Sequence, residues 1–368
     1  MGLHKAFVSK MNLNFWKAKR VLLTGHTGFK GSWLALWLQA LGAETIGYSL
    51  PPPTEPSLFE LAQVSSGMTS VMGDVRDFEL LKRVIAENNP EILIHLAAQS
   101  VVRYSYENPL ETYSTNVMGT VNLLEAIRQL QLRCVVVNVT SDKCYDNKNW
   151  VWGYRENEPL GGHDPYSNSK ACAELVTAAF RESYFRSDTS EQSRVSVASG
   201  RAGNVIGGGD WTQDQLVPDI MKAFAAGQPV RIRNPHAVRP WQFVLEPLRG
   251  YLMLAEHLWN HGLEFAEGWN FGPHEEDAQP VSRIVQGIST LWGSGARWET
   301  DQGTHPHEAH LLKLDISKAR SKLGWSPRMR LPSTLEWVVE WYKSCQEKKD
   351  LREVTQTQIA RYEDLATS

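Results

Sequence analysis

An apolar run, Val21-Leu22-Leu23, ends in Thr24-Gly25-His26-Thr27-Gly28-Phe29-Lys30-Gly31, and a helical apolar pattern follows at once in Trp33, Leu34, Leu36, Trp37, Leu38 and Leu41. Glycines spaced by three between a strand and a helix leave few folds open. Such a turn brings backbone N–H groups at a helix N-terminus up to a pyrophosphate. The residues that would form this cradle are Gly25, Thr27, Gly28, Phe29, Lys30 and Gly31. A plain glycine turn has the same short pattern, so the reading depends on the rest of the chain.

The rest of the first half repeats the alternation. Strand-like runs near 20–24, 44–48, 68–72, 91–96, 133–140 and 194–199 are separated by helical patterns near 30–42, 77–88, 109–130 and 165–185. Ile92-Leu93-Ile94 and Cys134-Val135-Val136-Val137 are apolar at every position, which suits strands covered on both faces. The pattern predicts an α/β fold, a Rossmann-type doubly wound parallel sheet. Beyond residue 200 glycine, proline and tryptophan become frequent and the elements shorten. Helices are expected near 215–226, 246–260, 280–292 and 331–345, and strands near 229–232, 241–244 and 297–299. This half reads as a smaller mixed C-terminal substrate-binding lobe over the carboxyl edge of the sheet, where ligands of open α/β sheets bind. The expected division is an N-terminal arm over 1–19, a dinucleotide-binding domain over 20–200, a lobe over 201–345 with segments returning to the first domain, and a loose helix or tail over 346–368.

A chain of 368 residues, 42% apolar, can build that core, and a net charge of -3 argues against a nucleic-acid partner. The basic group Lys318, Arg320, Lys322, Arg328 and Arg330 reads as a solvated helix face and loop. Cys134, Cys144, Cys172 and Cys345 show no C-x-x-C spacing, so a reduced compartment is expected and a metal site is not. No apolar run reaches membrane-spanning length, and the first 19 residues lack a signal-peptide pattern. A cytoplasmic protein without a membrane partner is expected.

The chemistry concentrates at two places. Tyr166-Ser167-Asn168-Ser169-Lys170 follows Asp164 and Pro165, a helix start. A spacing of four puts Tyr166 and Lys170 on one helix face. A phenol is too weak a base near neutral pH, and a nearby ammonium favours its phenolate. The pair can then take a proton from an alcohol as hydride leaves its carbon. Thr140-Ser141-Asp142-Lys143 ends the buried run 134–139 and so stands at the functional edge. Ser141 can bond the reacting oxygen, while Asp142 either caps the following loop or serves as an acid with a pKa raised by burial. Asp74 and Val75 follow the third strand, where a carboxylate can accept from an adenine amino group. The alternative is an N-cap for the helix over 77–88, and both roles are open to the neighbouring Asp77. The small residues of Leu96-Ala97-Ala98 admit a cofactor's ribose and phosphates. At Tyr48-Ser49-Leu50 there is neither the acid that would bind a ribose 2′-hydroxyl nor an arginine for a 2′-phosphate, so the residues leave NAD and NADP open. Lys30 could serve a phosphate.

With these residues placed, residues 18–340 resemble the extended short-chain dehydrogenase/reductase family. Thr112-Tyr113-Ser114-Thr115-Asn116-Val117-Met118-Gly119-Thr120 is similar to its long helix, and Asn116 to the asparagine that positions the site. Within the family, Asp142 after Ser141 and the 25-residue interval to Tyr166 resemble the nucleotide-sugar 4,6-dehydratases. Three strings resemble their CDP-sugar branch: Thr140 through Asn147, Trp150 through Glu156, and Arg201-Ala202-Gly203-Asn204-Val205-Ile206-Gly207-Gly208-Gly209-Asp210-Trp211. The sister dTDP-sugar branch has Asp-Glu where this chain has Asp142-Lys143, and its glutamate takes the carbon-5 proton. Lys143 as that base would have to be neutral, or else it stabilises an enolate as a cation; both roles stay open.

The resemblance implies NAD as cofactor and CDP-glucose as substrate, with Tyr166 and Lys170 also at the cofactor. It implies oxidation at carbon 4, loss of water across carbons 5 and 6 with Asp142 as acid, and hydride return to carbon 6. For the substrate it points to Asn204, Leu216, Val217, Arg231, Arg233, Arg239 and His307, with Gln99, Ser100 and Arg103 towards the sugar. Trp150 and Trp152 are either lid residues or packing against the lobe. The helices near 109–130 and 165–185 form a four-helix homodimer interface in the family. A nucleotide-sugar 4-epimerase would need Ser141, Tyr166 and Lys170 but not Asp142. A non-catalytic NAD-binding scaffold would need none of them.

Overall fold

The strand that feeds the glycine turn lies inside a seven-stranded, all-parallel sheet. The structure is a computed structural model that describes residues 11–186, 195–303 and 311–365. The strands β1 (Arg20–Thr24), β2 (Glu44–Ser49), β3 (Thr69–Met72), β4 (Ile92–His95), β5 (Cys134–Val139) and β6 (Val195–Arg201) are joined by a seventh, Gly268–Asn270. Their order is Gly268–Asn270, β6, β5, β4, β1, β2, β3. The chain builds outward from β1 to β3, then restarts on the other side of β1 with β4. That reversal opens a crevice beyond the carboxyl ends of β1 and β4.

Why the central strands are apolar at every position is visible in the packing. Val21, Leu23, Ile92, Ile94, Val135, Val137 and Val139 enter one core, and Leu22, Leu93, Cys134 and Val136 enter the other. Successive side chains of a strand point to opposite faces, so both sets are buried. The first face is covered by α1 (Phe29–Ala40) together with the helices Leu245–His261 and Leu331–Gln346. The second is covered by Phe78–Asn88 and Gly119–Leu130. Asp77 caps the first of these through Leu80 N at 3.0 Å, so the cap is Asp77 and not Asp74.

Three features differ from the sequence expectations. The helix expected over 109–130 is interrupted: Pro109–Tyr113 and Gly119–Leu130 are joined by a π-helical turn, Ser114–Met118. The seventh strand has three residues, too short for a period-two pattern to emerge. Residues 351–364, expected as part of a loose helix or tail, form a packed helix, Leu351–Asp364, capped by Asp350. Leu351, Thr355, Gln358, Ile359 and Tyr362 form its buried face. Two of these are polar yet bonded, Thr355 accepting from Trp341 Nε1 at 3.0 Å and Gln358 donating to Trp337 O at 2.9 Å. Tyr362 donates to Glu246 at 2.7 Å.

Beyond β6 the short strands form three two-stranded ladders: Val205–Ile206 with Gln242–Phe243, Val230–Ile232 with Trp298–Thr300, and Val238–Pro240 with Ala278–Pro280. The helix expected near 215–226 is Leu216–Ala225. The basic group is largely engaged: Lys318 and Lys322 pair with Glu267, Arg330 with Asp277, and Arg328 lies over the Tyr362 ring. Among the described residues no helix is long and apolar enough to cross a membrane, and no cluster of three metal-ligating side chains occurs.

Candidate active site

At the carboxyl end of β5 the chain turns into a short 3-10 helix, Asp142–Cys144, capped by Ser141, whose Oγ accepts from Lys143 N at 3.3 Å. The capping is therefore Ser141's, which leaves the Asp142 side chain available. That carboxyl is 1% exposed. Its Oδ1 accepts from Ser141 Oγ at 3.0 Å, while its Oδ2 has no hydrogen-bond partner among the described residues. Burial raises the Asp142 pKa, against the opposing charges of Lys143, Arg239 and Lys30 and the Ser141 bond. A buried carboxyl with a raised pKa and an unbonded oxygen is suited to giving up a proton. Gly203 is required beside it, because a Cβ there would overlap the carboxyl group.

Tyr166 and Lys170 stand one turn apart on the helix Pro165–Phe180, which Asp164 caps through Ser167 N at 2.9 Å. Both are buried, and the backbone N–H of Tyr166 is fixed by Ser105 Oγ at 3.1 Å. The Tyr166 pKa is raised, first by burial and then by the charges of Asp142 and Asp164; a bond with Ser141 opposes this. Ser141 and Tyr166 are thus brought together as expected. The expected lowering by Lys170 is not found: its Nζ reaches the Val139 carbonyl at 3.3 Å, and burial outweighs every charge on the phenol. Lys170 itself is pushed down to about 8 by burial and by the charge of Lys30.

The glycine turn has the shape of a cradle. Gly25 has φ +76°, and a Cβ on it would meet Ala97 N at 2.7 Å. Gly31 packs on the Gly25 carbonyl so closely that no Cβ fits. No side chain caps α1 after Gly28, so the N–H groups of Phe29, Lys30 and Gly31 face outward for an anion. Thr27 is turned inward, donating to Leu50 O at 2.8 Å with Ser49 Oγ also at 2.8 Å. Leu96, Ala97 and Ala98 line the opposite wall, where Thr24 Oγ1 accepts from the N–H groups of Leu96 and Ala97 at 3.2 and 3.1 Å. These features fit a dinucleotide's pyrophosphate. Asp74 is held by Arg76, whose charge and hydrogen bonds lower its pKa, and Val75 beside it is buried against Gly119. Asn116, in the π-helical turn, accepts from Gln99 N at 2.8 Å and donates to Gln99 O and Ser169 Oγ at 2.9 and 2.8 Å. It braces the β4 loop against the Tyr166 helix.

The proposed substrate residues divide. Arg103 and Arg233 share Asp214, at 2.9 and 3.3 Å. Arg239 is buried, in the field of Asp142. Arg231 is not joined to this group; it lies on the exposed side of its strand and pairs with Glu299 at 2.7 Å. Asn204 adopts φ +47°, and Leu216 and Val217 open the helix Leu216–Ala225. The Gln99 side chain closes on the Val101 backbone at 2.9 and 3.0 Å, and Ser100 is exposed. His307 lies outside the described residues. Trp150 stacks on Tyr154 at 5.5 Å, and Tyr154 stacks on Tyr145 at 5.2 Å, which makes Trp150 the outer rung of a ladder. Trp152 leans on it, 57% exposed.

Several contributors were not anticipated. Behind the site Glu174 accepts from Thr140 Oγ1 at 2.5 Å, from Ser199 Oγ at 2.6 Å and from Arg201 Nε and Nη2 at 2.9 Å each. Glu174 lies one turn beyond Lys170, so this buried pair locks the Tyr166 helix to the ends of β5 and β6. Tyr251, on the helix Leu245–His261, abuts Gly200, and its hydroxyl, in the field of Tyr166 and Asp142, has no hydrogen-bond partner among the described residues. Arg201 and Tyr251 arrive from distant elements, and Glu174, on the Tyr166 helix itself, is marked only by its long-range bonds.

Comparison with known proteins places this geometry. The model of the GDP-mannose 4,6 dehydratase family matches residues 22–337. A CDP-glucose 4,6-dehydratase of Salmonella typhimurium is 57% identical over 354 residues, covering 96% of this chain and 99% of that one. Among solved structures, a dTDP-glucose 4,6-dehydratase of Bacillus anthracis in complex with NAD superposes with a TM-score of 0.73 at 23% identity, over 91% of this chain and 100% of that one. A UDP-glucose 4-epimerase of Thermotoga maritima with UDP-glucose superposes with a TM-score of 0.74 at 21% identity, over 89% and 99%.

Proposed function

We propose that this chain, which belongs to the GDP-mannose 4,6 dehydratase family, uses NAD to convert CDP-glucose to CDP-4-keto-6-deoxyglucose and water. The observation that carries the reading is the buried acid Asp142, unbonded at Oδ2, beside the Ser141–Tyr166 pair. The near full-length identity to a CDP-glucose 4,6-dehydratase supports the cytidine substrate. When bound, NAD supplies a hydride acceptor whose ring charge favours a neighbouring phenolate, and it ends the cycle as it began.

The chain's own residues do the rest. Ser141 and Tyr166 bracket the 4-hydroxyl, and Tyr166 takes its proton. Lys170 adds positive charge on the same helix face. A ketone at carbon 4 acidifies the carbon-5 hydrogen. Asp142 then gives its proton to the 6-hydroxyl, which leaves as water. Lys143, in the field of Asp142, is the candidate for the carbon-5 base or for its enolate partner. The cradle of Gly25, Thr27, Gly28, Phe29, Lys30 and Gly31 with Asp74, Val75, Leu96, Ala97 and Ala98 holds the cofactor, with Asn116 as its brace. Arg233 and Arg239 with Asn204, Leu216 and Val217 receive the nucleotide, Arg103 with Gln99 and Ser100 faces the sugar, and His307 belongs to the set by resemblance.

Substrate carrying deuterium at carbon 4 tests the reaction path. A dehydratase moves the label to carbon 6, whereas a 4-epimerase leaves it at carbon 4. Retained deuterium at carbon 4 with an inverted hydroxyl would replace this reading with the epimerase. We also place the protein in the cytoplasm as a homodimer. The cysteines Cys134, Cys144, Cys172 and Cys345 are unpaired, which suits a reducing compartment. Leu110 is 87% exposed, Met118 50% and Leu175 58%, on neighbouring helices, and such exposed apolar groups suit a subunit interface. Sedimentation of Leu175→Asp as a monomer, against a dimeric parent, is the expected outcome.

A further inference from the structure

Arg103 and Arg233 come from opposite halves of the chain and meet on one carboxylate oxygen. Arg103 stands on the short helix Val102–Glu107, beyond the carboxyl end of β4. Ser105 on the same helix holds the backbone N–H of Tyr166 at 3.1 Å, so this helix borders the reacting centre. Arg233 follows the strand Val230–Ile232 in the second half. Both donate through Nη1 to Asp214 Oδ1, at 2.9 and 3.3 Å. Asp214 lies in the segment that starts with Gly203 against the Asp142 carboxyl and ends where Leu216 opens the helix Leu216–Ala225. Two guanidinium charges thus face one carboxylate charge, and both partners of the Arg103 bridge are 41% exposed. The surplus positive charge and the access from solvent both favour a more highly charged anion in the place of the carboxylate.

We propose that Asp214 is an internal competitor of the substrate's diphosphate: its carboxylate holds Arg103 and Arg233, and the diphosphate displaces it from both. The inference deepens the proposed function and rests on it. In that reading Arg103 faces the sugar and Arg233 the nucleotide, and the group that joins a sugar to a nucleoside is the diphosphate. A diphosphate has more negative charge than a carboxylate and enough acceptor oxygens to bond both guanidiniums in pairs. A carboxylate on the same chain acts at an effective concentration on the order of millimolar, so a ligand with a single weak anionic group does not clear it. Binding is thereby tuned against the wrong anions as well as towards the right one. Exposed ion pairs contribute little to stability, so the two bridges are easily broken. No covalent bond changes in this exchange; the two guanidiniums trade one anion for another. The product carries the same diphosphate, and the returning carboxylate favours its release.

The test is calorimetric titration of the NAD-loaded protein with CDP, with cytidine as the control that lacks phosphate. Asp214 has φ +60°, a left-handed backbone that Asn adopts as readily as Asp, so Asp214→Asn removes the charge and little else. This variant is expected to bind CDP about 3- to 10-fold more tightly than the parent, the factor that two exposed ion pairs supply. Its affinity for cytidine is expected to stay within about twofold. Asp214→Gly, which suits the same backbone, is the second variant and should tighten CDP equally. In a background of Arg103→Met with Arg233→Met, adding Asp214→Asn should change CDP affinity by less than about twofold, because the groups it releases are gone. Weaker CDP binding in Asp214→Asn would overturn the proposal, since the carboxylate would then be holding the arginines ready for substrate. An unchanged affinity, or a gain that survives the loss of both arginines, would overturn it as well. A parent enzyme that binds CDP but releases no water from CDP-glucose would instead overturn the dehydratase reading, and is seen before any variant is made.

Discussion

Replacing Gly203 by alanine tests whether the placement of Asp142 is what the site depends on. The added methyl would overlap Oδ1, Oδ2 and Cγ of the Asp142 carboxyl, whereas ordinary van der Waals contact begins at 3.4 Å. Restoring contact requires the carboxyl to retreat by more than about 1 Å, a misplacement that costs on the order of 10²-fold in rate. That corresponds to about 2.7 kcal/mol of activation free energy. Gly203 needs no left-handed backbone, being absent from the positive-φ glycines, so the damage is steric and local. Overpacking adds about 1–3 kcal/mol of lost stability, which denaturant unfolding measures separately. The assay is water release from CDP-glucose, with single-turnover oxidation as its internal control. The expected result is a folded variant that oxidises carbon 4 but eliminates about 10²-fold more slowly. A folded variant eliminating within about threefold of the parent would refute the claim that a precisely placed Asp142 carboxyl drives the elimination.

Arg201→Met leaves the Glu174 carboxylate, 4% exposed, without its partner, and urea unfolding should show a loss of about 3–5 kcal/mol. A loss below about 1 kcal/mol would mean that the pair sits in a wetter environment than its burial indicates. Acid sensitivity should come partly from two buried histidines. Burial holds His26 down at about 4 and His95, also facing the charge of Lys170, at about 3. Both are neutral in the fold but protonate near 6.5 when unfolded, so their contribution is complete above that pH and is lost as pH falls towards the folded values. By about pH 5 each costs about 2 kcal/mol of stability. His95→Gln should remove about half of this loss in unfolding midpoints measured across that range; an unchanged pH slope would contradict the assignment.

The parts of this fold legible in the sequence are those whose signals are local. The run Val21-Leu22-Leu23 and its glycines give β1, the turn and α1, because a strand buried on both faces is apolar throughout. Ser141, Asp142, Tyr166 and Lys170 were legible because each sits at a strand end or helix start with a fixed local spacing. Gly268–Asn270 was not, since three residues carry no period and the strand exists only by pairing with β6. The helix Leu351–Asp364 was obscured because its buried face includes Thr355 and Gln358, polar groups that are paid for by bonds to Trp341 and Trp337. The lowering of the Tyr166 pKa by Lys170 followed from charge alone and omitted burial, which dominates in this site. Glu174, Arg201 and Tyr251 act through long-range contacts that no window of sequence contains.

The central claim is tested most directly by mass spectrometry of the purified protein with CDP-glucose and NAD, without added reductant, beside dTDP-, UDP- and GDP-glucose. The account predicts loss of one water from CDP-glucose, with no net change in NAD and little or no reaction of the other three. Loss of water only from another nucleotide sugar would contradict the cytidine assignment, and an unchanged mass with every sugar would contradict the dehydratase itself.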